Sequence, residues 1–225
     1  MAQIGLIGGI GPAATDYYYR RLISAFASRE QPLELTMVHA DTPTLLGNLE
    51  AGAADAQVAI YNKLADRLVR AGADCVVVTS IAGHFCIERF KESAPLPVID
   101  IISSVNEAVS DLGLKKLGLI GTRTVMESGF YGGITSAKVT APTGQSLADV
   151  HTAYVSMAAV GAVNEHQRQV FDRVCAGMLN RDRVDAIVLG GTDLALVYPE
   201  GSAPFPVVDC AAIHVDAIVE FAVGQ

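Results

Sequence analysis

Ser80 and His84 are the first residues in this sequence whose types and spacing could support chemistry. They stand four positions apart, directly after the apolar run Cys75–Val78. A serine hydroxyl becomes a nucleophile only beside a base, and an imidazole, which titrates near pH ~6.5, is suited to that role. A helical turn after Ser80 would bring the two side chains together, so both are predicted catalytic residues. A hydrogen-bonded structural role for His84 is the alternative.

Two turns that are rich in glycine or threonine could bind an anion. The segment Gly8–Gly11 places three glycines after the apolar run Ile4–Ile7, and glycine lets a backbone approach a ligand closely. The spacing is not Gly-x-Gly-x-x-Gly, so a dinucleotide site is not predicted. Thr122 and Thr124 stand at a similar turn. Their hydroxyls could bind a ligand, cap the following helix, or do both.

The elements that must position these residues follow from an alternation of short apolar runs with helical stretches. The predicted strands are Ile4–Ile7, Leu35–His39, Cys75–Val78 and Val98–Ile99. The predicted helices include Ala53–Arg70 and Thr15–Ser28, the second with Thr15 as its N-cap. Strands that alternate with helices pair in parallel through βαβ units. The predicted fold class is therefore α/β.

The second half of the chain repeats the pattern of the first. Three segments recur in the same order, at offsets of 113, 111 and 109 residues. They are Gly5–Gly9 with Gly118–Thr122, Asp74–Val78 with Asp185–Leu189, and Pro95–Asp100 with Pro204–Asp209. This order favours an internal duplication. We predict two pseudo-symmetric α/β halves, residues 1–98 plus 207–225 and residues 99–206, with the terminal helix Ala211–Phe221 returning to the first half.

The two halves are predicted to face each other across a shared cleft. Ligands of open parallel sheets lie beyond the carboxyl ends of the strands, so the loops Thr79–His84 and Gly190–Leu194 would form opposite walls. One group on each face of a substrate carbon suits the removal and return of a proton, as in racemisation. The predicted substrate-binding residues are Gly9, Ile10, Gly11, Thr79, Thr122, Thr124 and Gly191.

Composition excludes several other classes of function. The formal net charge is −8 and no basic cluster is present, so neither nucleic acid nor a membrane surface is an expected partner. The apolar runs are too short to span a membrane, and Met1–Ile10 does not have the basic start of a signal peptide. Four widely spaced cysteines predict neither a zinc site nor a disulfide framework. We expect reduced thiols, no metal and a cytoplasmic location.

Four motifs, spread over nearly the whole chain, occur in an order that is typical of one enzyme family. They are Ile4–Gly11 with Thr15, Gly121–Thr124 with Ser128, Gly129 and Tyr131, Val188–Asp193, and Asp209 followed by His214. Together they resemble the motifs of the aspartate/glutamate racemase superfamily, and of aspartate racemases in particular. The resemblance implies an amino-acid racemase that needs no cofactor, and its members are commonly homodimers.

The chain departs from that family at the two residues that do its chemistry. By the resemblance, Ser80 stands where the first catalytic cysteine is expected and Gly191 where the second is expected. A thiol, with a reference pKa near ~8.5, can be tuned to the thiolate, whereas a serine hydroxyl titrates far higher and glycine has no side chain. The segments Asp41–Glu50 and Tyr154–Gly161 contain no Arg or Lys. Neither the two-thiol mechanism nor an acidic amino-acid substrate is therefore expected.

The resemblance marks Thr192, Asp193 and His214 as further catalytic candidates. Asp193 takes the place of a family glutamate and could transfer a proton, orient another group, or only cap a helix. Thr192 keeps a hydroxyl donor, and His214 lies in a closing helix that has one position facing the family's cleft. Cys86 or Cys210 could supply a relocated thiol, although an inert buried thiol is the favoured interpretation.

The predicted function is that of a racemase-family protein that acts on or binds a small amino or carboxylic acid, without the usual two-cysteine mechanism. A lyase or decarboxylase of the same superfamily is one alternative, because a single acid/base group suffices for it. A non-catalytic carboxylate-binding protein is the other alternative, since such a protein would keep the binding turns and lose the chemistry.

Overall fold

The computed structural model describes residues 1–224, which form two compact units, each built around one sheet. The first unit comprises Met1–Ile101 and the segment from His214 onward, and the second comprises Ile102–Ile213.

The first unit contains the strands β1 (Ile4–Gly8), β2 (Leu35–His39), β3 (Cys75–Val78) and β4 (Val98–Ile99), the helices α1 (Pro12–Ser28), α2 (Thr42–Glu50), α3 (Ala54–Arg70) and α4 (Ile87–Ser93), and a 3₁₀ turn over Ile81–Cys86. The second contains α5 (Ile101–Asp111), which begins at the boundary, then β5 (Lys116–Gly121), α6 (Arg123–Glu127), β6 (Lys138–Thr140), α7 (Gly144–Val160), α8 (Glu165–Asn180), β7 (Ala186–Gly190) and β8 (Val207–Asp209), with 3₁₀ turns over Phe130–Gly132 and Thr192–Leu196. The last helix, α9 (Cys210–Gly224), begins in the second unit and ends in the first.

Both sheets have four parallel strands in the same order. The first runs β2-β1-β3-β4 and the second β6-β5-β7-β8. In register, Ile4 pairs with Cys75 in the first sheet and Leu117 pairs with Ala186 in the second. The central strands β1, β3 and β7 are buried along their whole length, as expected for parallel strands that helices cover on both faces. The prediction of an α/β fold with two parallel sheets is confirmed.

The first helix begins earlier than the sequence pattern predicted. Gly11 is its N-cap with a positive φ of 73°, and a proline occupies its first turn. Proline suits that position because its fixed φ is already helical and its missing N–H would have no partner there. The predicted N-cap, Thr15, instead lies inside the helix, where its hydroxyl is 3.1 Å from the Thr79 hydroxyl. The N-cap prediction was therefore wrong.

The remaining elements differ from the prediction only in extent or number. The terminal helix is longer at both ends than predicted, and α2 and β6 are additional. Asp41 caps α2 by accepting a hydrogen bond from the Thr44 backbone N–H at 3.0 Å. No helix within residues 1–224 is long and apolar enough to cross a membrane.

Candidate functional site

The glycine turn after β1 is shaped by close backbone contacts. Gly9 has a positive φ of 153°, and a Cβ there would lie 2.7 Å from the Ala40 carbonyl oxygen. The Thr42 hydroxyl donates a hydrogen bond to the Gly9 carbonyl. Ile10 is buried. Because Gly11 provides no side-chain cap for α1, this turn presents backbone and a helix N-terminus, which are groups that favour an anion.

Thr79 and Ser80 follow directly after β3. The Thr79 backbone N–H donates to the Ile7 carbonyl at 3.1 Å, and its hydroxyl donates to the same oxygen at 3.3 Å. Both residues are buried. These bonds tie the start of the loop to the neighbouring strand β1, so the backbone at Ser80 is held in a definite place.

His84 is bonded to backbone groups through both ring nitrogens. Its Nδ1 lies 2.7 Å from the Ser80 carbonyl oxygen, and its Nε2 accepts from the Ile101 N–H at 3.4 Å. This pattern requires the proton on Nδ1 and a neutral ring. Burial lowers the pKa of His84, which agrees with that form. The predicted pairing of this imidazole with the Ser80 hydroxyl is not formed, since the ring bonds the Ser80 carbonyl; the geometry favours a positioning role.

His214, near the start of the first unit's terminal segment, is also enclosed. Its Nδ1 is 2.7 Å from the Tyr18 hydroxyl and its Nε2 is 2.9 Å from the Ile99 carbonyl oxygen. The side chain is 0 % exposed, and burial with the neighbouring His84 lowers its pKa to about 3. The two imidazole rings are 6.2 Å apart. The structure thus brings both predicted histidines together as a neutral pair that ties α1, β4 and the loop after β3 to one another.

A buried polar chain holds the other side of the same loop. Asn48 donates to Gln57 at 3.0 Å, Gln57 donates to the Tyr61 hydroxyl at 2.9 Å, and Tyr61 donates to the Gly83 carbonyl at 3.2 Å. A Cβ at residue 83 would collide with the Tyr61 hydroxyl. Gly83 therefore leaves room for the tyrosine that fixes the loop.

Of the two threonines at the start of α6, Thr122 has a capping role. The Thr122 hydroxyl accepts from the Val125 N–H at 3.4 Å, and the Thr122 carbonyl accepts from the Met126 N–H at 3.0 Å. Thr124 is exposed, and its carbonyl accepts from the Ser128 N–H. The capping alternative describes what Thr122 does, and its ligand-binding role stays a prediction.

The loop after β7 brings together a glycine, a tyrosine and a carboxyl group. Gly191 has an extended backbone, and Thr192 and Asp193 begin the 3₁₀ turn that follows it. The Tyr154 hydroxyl, on α7, donates to Asp193 Oδ2 at 2.9 Å. Asp193 is 7 % exposed, and its Oδ1 has no hydrogen-bond partner among the described residues. Burial raises the pKa of Asp193, and the Tyr154 hydrogen bond offsets part of that rise.

Sequence reasoning missed Tyr154, Tyr61 and the chain of polar residues behind the loops. Tyr154 lies on α7 among Val150, Ala153 and Met157, which are all buried. An aromatic residue on the apolar face of a helix is normally a core residue. Nothing in the spacing indicated that its hydroxyl meets Asp193, because the two are 39 residues apart.

All four cysteines are buried and free. Burial raises the pKa of Cys75 to about 11 and those of Cys86 and Cys175 to about 12, and it raises the pKa of Cys210 as well. A thiol is a nucleophile or base only as the thiolate. The geometry therefore favours the interpretation of Cys86 and Cys210 as inert core residues.

We expect the native protein to react with less than one equivalent of the thiol reagent DTNB at pH 8, and all four thiols to react in guanidinium. The reason is that enclosed thiols with raised pKa are both inaccessible and protonated. Absorbance of the released chromophore measures the reaction. Ser28→Cys, on an exposed position of α1, should add one fast equivalent. A fast native equivalent that disappears in Cys86→Ala or Cys210→Ala would contradict the assignment.

The described residues contain no group of three or more His, Cys, Asp or Glu side chains arranged to hold a metal ion.

Comparison with known proteins gives a consistent result over the whole chain. A family profile described as Asp/Glu/Hydantoin racemase matches residues 7–218. A Yersinia pestis protein whose description assigns it to the Asp/Glu racemases has a solved structure with a TM-score of 0.87 and 26% identity, over 99% of this chain and 100% of that one.

Two further solved structures are similar. An aspartate racemase homologue from Pyrococcus horikoshii has a TM-score of 0.84 and 26% identity, over 99% of this chain and 100% of that one. The aspartate racemase of Picrophilus torridus has a TM-score of 0.77 and 21% identity, over 98% and 94% of the two chains, and shows the likeness of fold.

Proposed function

Because the chain belongs to the Asp/Glu/hydantoin racemase family, we propose that it is a cofactor-independent enzyme that moves a proton at the carbon beside the carboxylate of a small amino or carboxylic acid. The proposal includes a mechanism that uses no thiol. A cytoplasmic homodimer, expected from the sequence and its resemblance, stays a prediction.

One observation carries the proposal. At the carboxyl end of β7, Asp193 is a buried carboxyl group with a raised pKa and one oxygen that has no hydrogen-bond partner among the described residues. Titratable groups with such shifts concentrate at functional sites. A raised pKa lets a carboxyl group take up a proton more readily than an ordinary aspartate does, which favours general acid/base chemistry.

The thiol-free mechanism is supported by the positions of the cysteines. None of the four stands at residue 80 or 191, to which the resemblance assigns the family's thiols, and each has a raised pKa. The glycine turn after β1, where α1 begins without a side-chain cap, stays a predicted anion-binding turn. The absence of Arg and Lys from Asp41–Glu50 and Tyr154–Gly161 supports a substrate with a neutral side chain.

A lyase or decarboxylase reaction is the second candidate, and the hydrogen bonds of His84 and His214 favour it. Racemisation needs a proton-transferring group on each face of the carbon. In the first unit, both imidazoles use both ring nitrogens in hydrogen bonds, and the remaining candidate is the hydroxyl of Ser80. One effective acid/base group suits a lyase or decarboxylase, which only has to deliver a proton to one face.

We expect the protein to exchange the α-hydrogen of at least one small amino or carboxylic acid for deuterium in D2O. The exchange follows from reversible proton transfer at that carbon and is measured by the loss of the α-proton NMR signal. Asp193→Asn should lower the exchange rate by about 100-fold and leave a residual exchange. Asp172→Asn, on α8, is the matched control, because Asp172 also accepts a bond from a tyrosine hydroxyl, Tyr198, at 2.7 Å.

The stereochemistry of exchange separates the two reactions. Racemisation gives both enantiomers of the labelled acid, whereas proton transfer on one face gives retention of configuration. A decarboxylase would instead release CO2 from an acid that carries a second carboxyl group on the same carbon. Absence of exchange and of CO2 release over a panel of neutral, polar and acidic substrates would overturn the proposal. Thermal stabilisation by the same acids would then favour the non-catalytic binding protein.

A further inference from the structure

Gly191 leaves space that a tyrosine fills. Its φ of −170° and ψ of 131° are extended and open to any residue, so the backbone conformation does not require glycine. The reason lies in its neighbour: a Cβ on residue 191 would lie 2.6 Å from Tyr154 Cζ and would also collide with the Tyr154 hydroxyl. The phenol ring edge and hydroxyl therefore occupy the volume in which a side chain of residue 191 would begin.

The partner of that hydroxyl is a buried carboxyl group. Asp193 Oδ2 is 2.9 Å from the Tyr154 hydroxyl, and Asp193 Oδ1 is buried without a described partner. A buried ionised carboxylate with an unbonded oxygen is costly, because it loses its hydration without replacement. Tyr154 therefore both bonds this carboxyl group and fills the space beside Gly191.

We propose that Tyr154 and Asp193 form one hydroxyl–carboxyl pair that serves as the acid/base group of the loop after β7, with Tyr154 in contact with the substrate and Asp193 as the positioning residue behind it. This inference rests on the proposed function and names the group that performs it. Burial raises the pKa of the Tyr154 hydroxyl, and the neighbouring Asp193 adds to that rise, so the phenol keeps its proton until a partner exchanges it.

Each proton that the pair gives to the substrate is replaced from solvent. When Asp193 carries its proton on Oδ2, the carboxyl donates to the phenol oxygen, and the phenol proton is free to point at the substrate. The Tyr154 O–H bond breaks as a C–H bond forms on the substrate carbanion. The phenol oxygen then takes the Asp193 proton, and the resulting carboxylate is reprotonated from solvent. Proton abstraction follows the same steps in reverse.

The decisive variant is Tyr154→Phe, which keeps the ring in place beside Gly191 and removes only the hydroxyl. With the deuterium-exchange assay on the acid that wild type accepts, we expect a loss of at least ~100-fold, since positioned acid/base groups contribute ~10²–10⁴-fold. Tyr198→Phe is the matched control, because it removes the hydroxyl that bonds Asp172 in the same unit. Its rate should stay within about twofold of wild type, as expected for a residue outside the proton path.

The positioning role of Asp193 has its own measurement. In protein labelled with ¹³C at aspartate carboxyls, the Asp193 signal is identified by its absence in Asp193→Asn. Its titration should lie above that of an ordinary aspartate and move to still higher pH in Tyr154→Phe, since the hydrogen bond that favours the ionised form is gone. Asp193→Asn should also displace the pH profile of the residual exchange.

The outcomes distinguish a failure of the proposed function from a failure of the inference about Tyr154. If wild type exchanges no acid of the panel, the proposed function fails and the pair loses its role with it. If wild type is active and Tyr154→Phe is equally active, only the inference about Tyr154 is overturned. An Asp193 titration that is the same in wild type and Tyr154→Phe would also overturn it, because the two groups would then not act as one pair.

Discussion

Gly191→Cys, which would place a thiol at the position that the family resemblance assigns to its second cysteine, should destabilise the protein and give no more activity than wild type. The new Cβ would stand 2.6 Å from Tyr154 Cζ, well inside van der Waals contact. Overpacking of a filled core costs ~1–3 kcal/mol. In a chain of this size that corresponds to a fall of roughly 2–12 °C in melting temperature, measurable by calorimetry.

Gly191→Ala in two backgrounds isolates the cause. In wild type it should cost the same ~1–3 kcal/mol, whereas in a Tyr154→Ala background the cost should vanish, since the colliding ring is absent. Gly177→Ala is the matched control: Gly177 lies within α8, and a Cβ there would meet nothing within 4 Å. It should leave the protein unchanged or stabilise it by up to ~1 kcal/mol. An equal cost of Gly191→Ala in both backgrounds would show that Tyr154 does not define this space.

The sheets were predictable because parallel strands covered on both faces are continuous apolar runs. Predicted strand Cys75–Val78 has the bounds of β3, and predicted helix Ala53–Arg70 differs from α3 by one residue. The recurrence of these runs in the same order, at offsets of 109 to 113 residues, indicated the second sheet. β6 was missed because Lys138–Thr140 is a short edge strand that is exposed or half-buried and carries no apolar run.

The loops that carry the candidate residues were predictable from the sequence, but the contacts of those residues were not. Parallel strands fix where the loops after β3 and β7 begin, so Ser80 and Asp193 could be placed at strand ends from the sequence. What each side chain does depends on partners that are distant along the chain. His84 bonds the Ile101 N–H, and Asp193 bonds Tyr154. A tyrosine on an apolar helix face and a histidine on a loop carry no periodic signal of such partners.

The buried histidine pair should make the protein lose stability on mild acidification. Below pH ~6.5 an unfolded chain protonates its histidines, whereas His214 in the folded protein stays neutral down to about pH 3. The unfolded state therefore binds more protons in that window, and the free energy of unfolding falls as pH falls. One such histidine contributes a slope approaching ~1.4 kcal/mol per pH unit, or ~2 kcal/mol between pH 6.5 and 5. Burial lowers the pKa of His84 too, which adds in the same direction.

Urea unfolding at pH 7.5, 6.5, 5.8 and 5 measures this slope, and His214→Gln should reduce it. The glutamine can still donate to the Ile99 carbonyl, so some structure of the site is kept, but it cannot take up a proton. His166→Gln is the control, since His166 is exposed on α8. The series ends at pH 5 because some carboxyl groups, such as Asp185, have a lowered pKa in the folded protein. Their protonation also reduces the free energy of unfolding, but only nearer pH ~4.

The groups around the ring explain why His214 stays neutral. Tyr18 and the Ile99 carbonyl use its two nitrogens. The neighbouring His84 disfavours a positive charge on the ring, and Asp100 attracts one only weakly by comparison with burial. A slope that is the same in wild type and His214→Gln would mean that the ring is protonated in the folded protein, and the neutral pair would not exist.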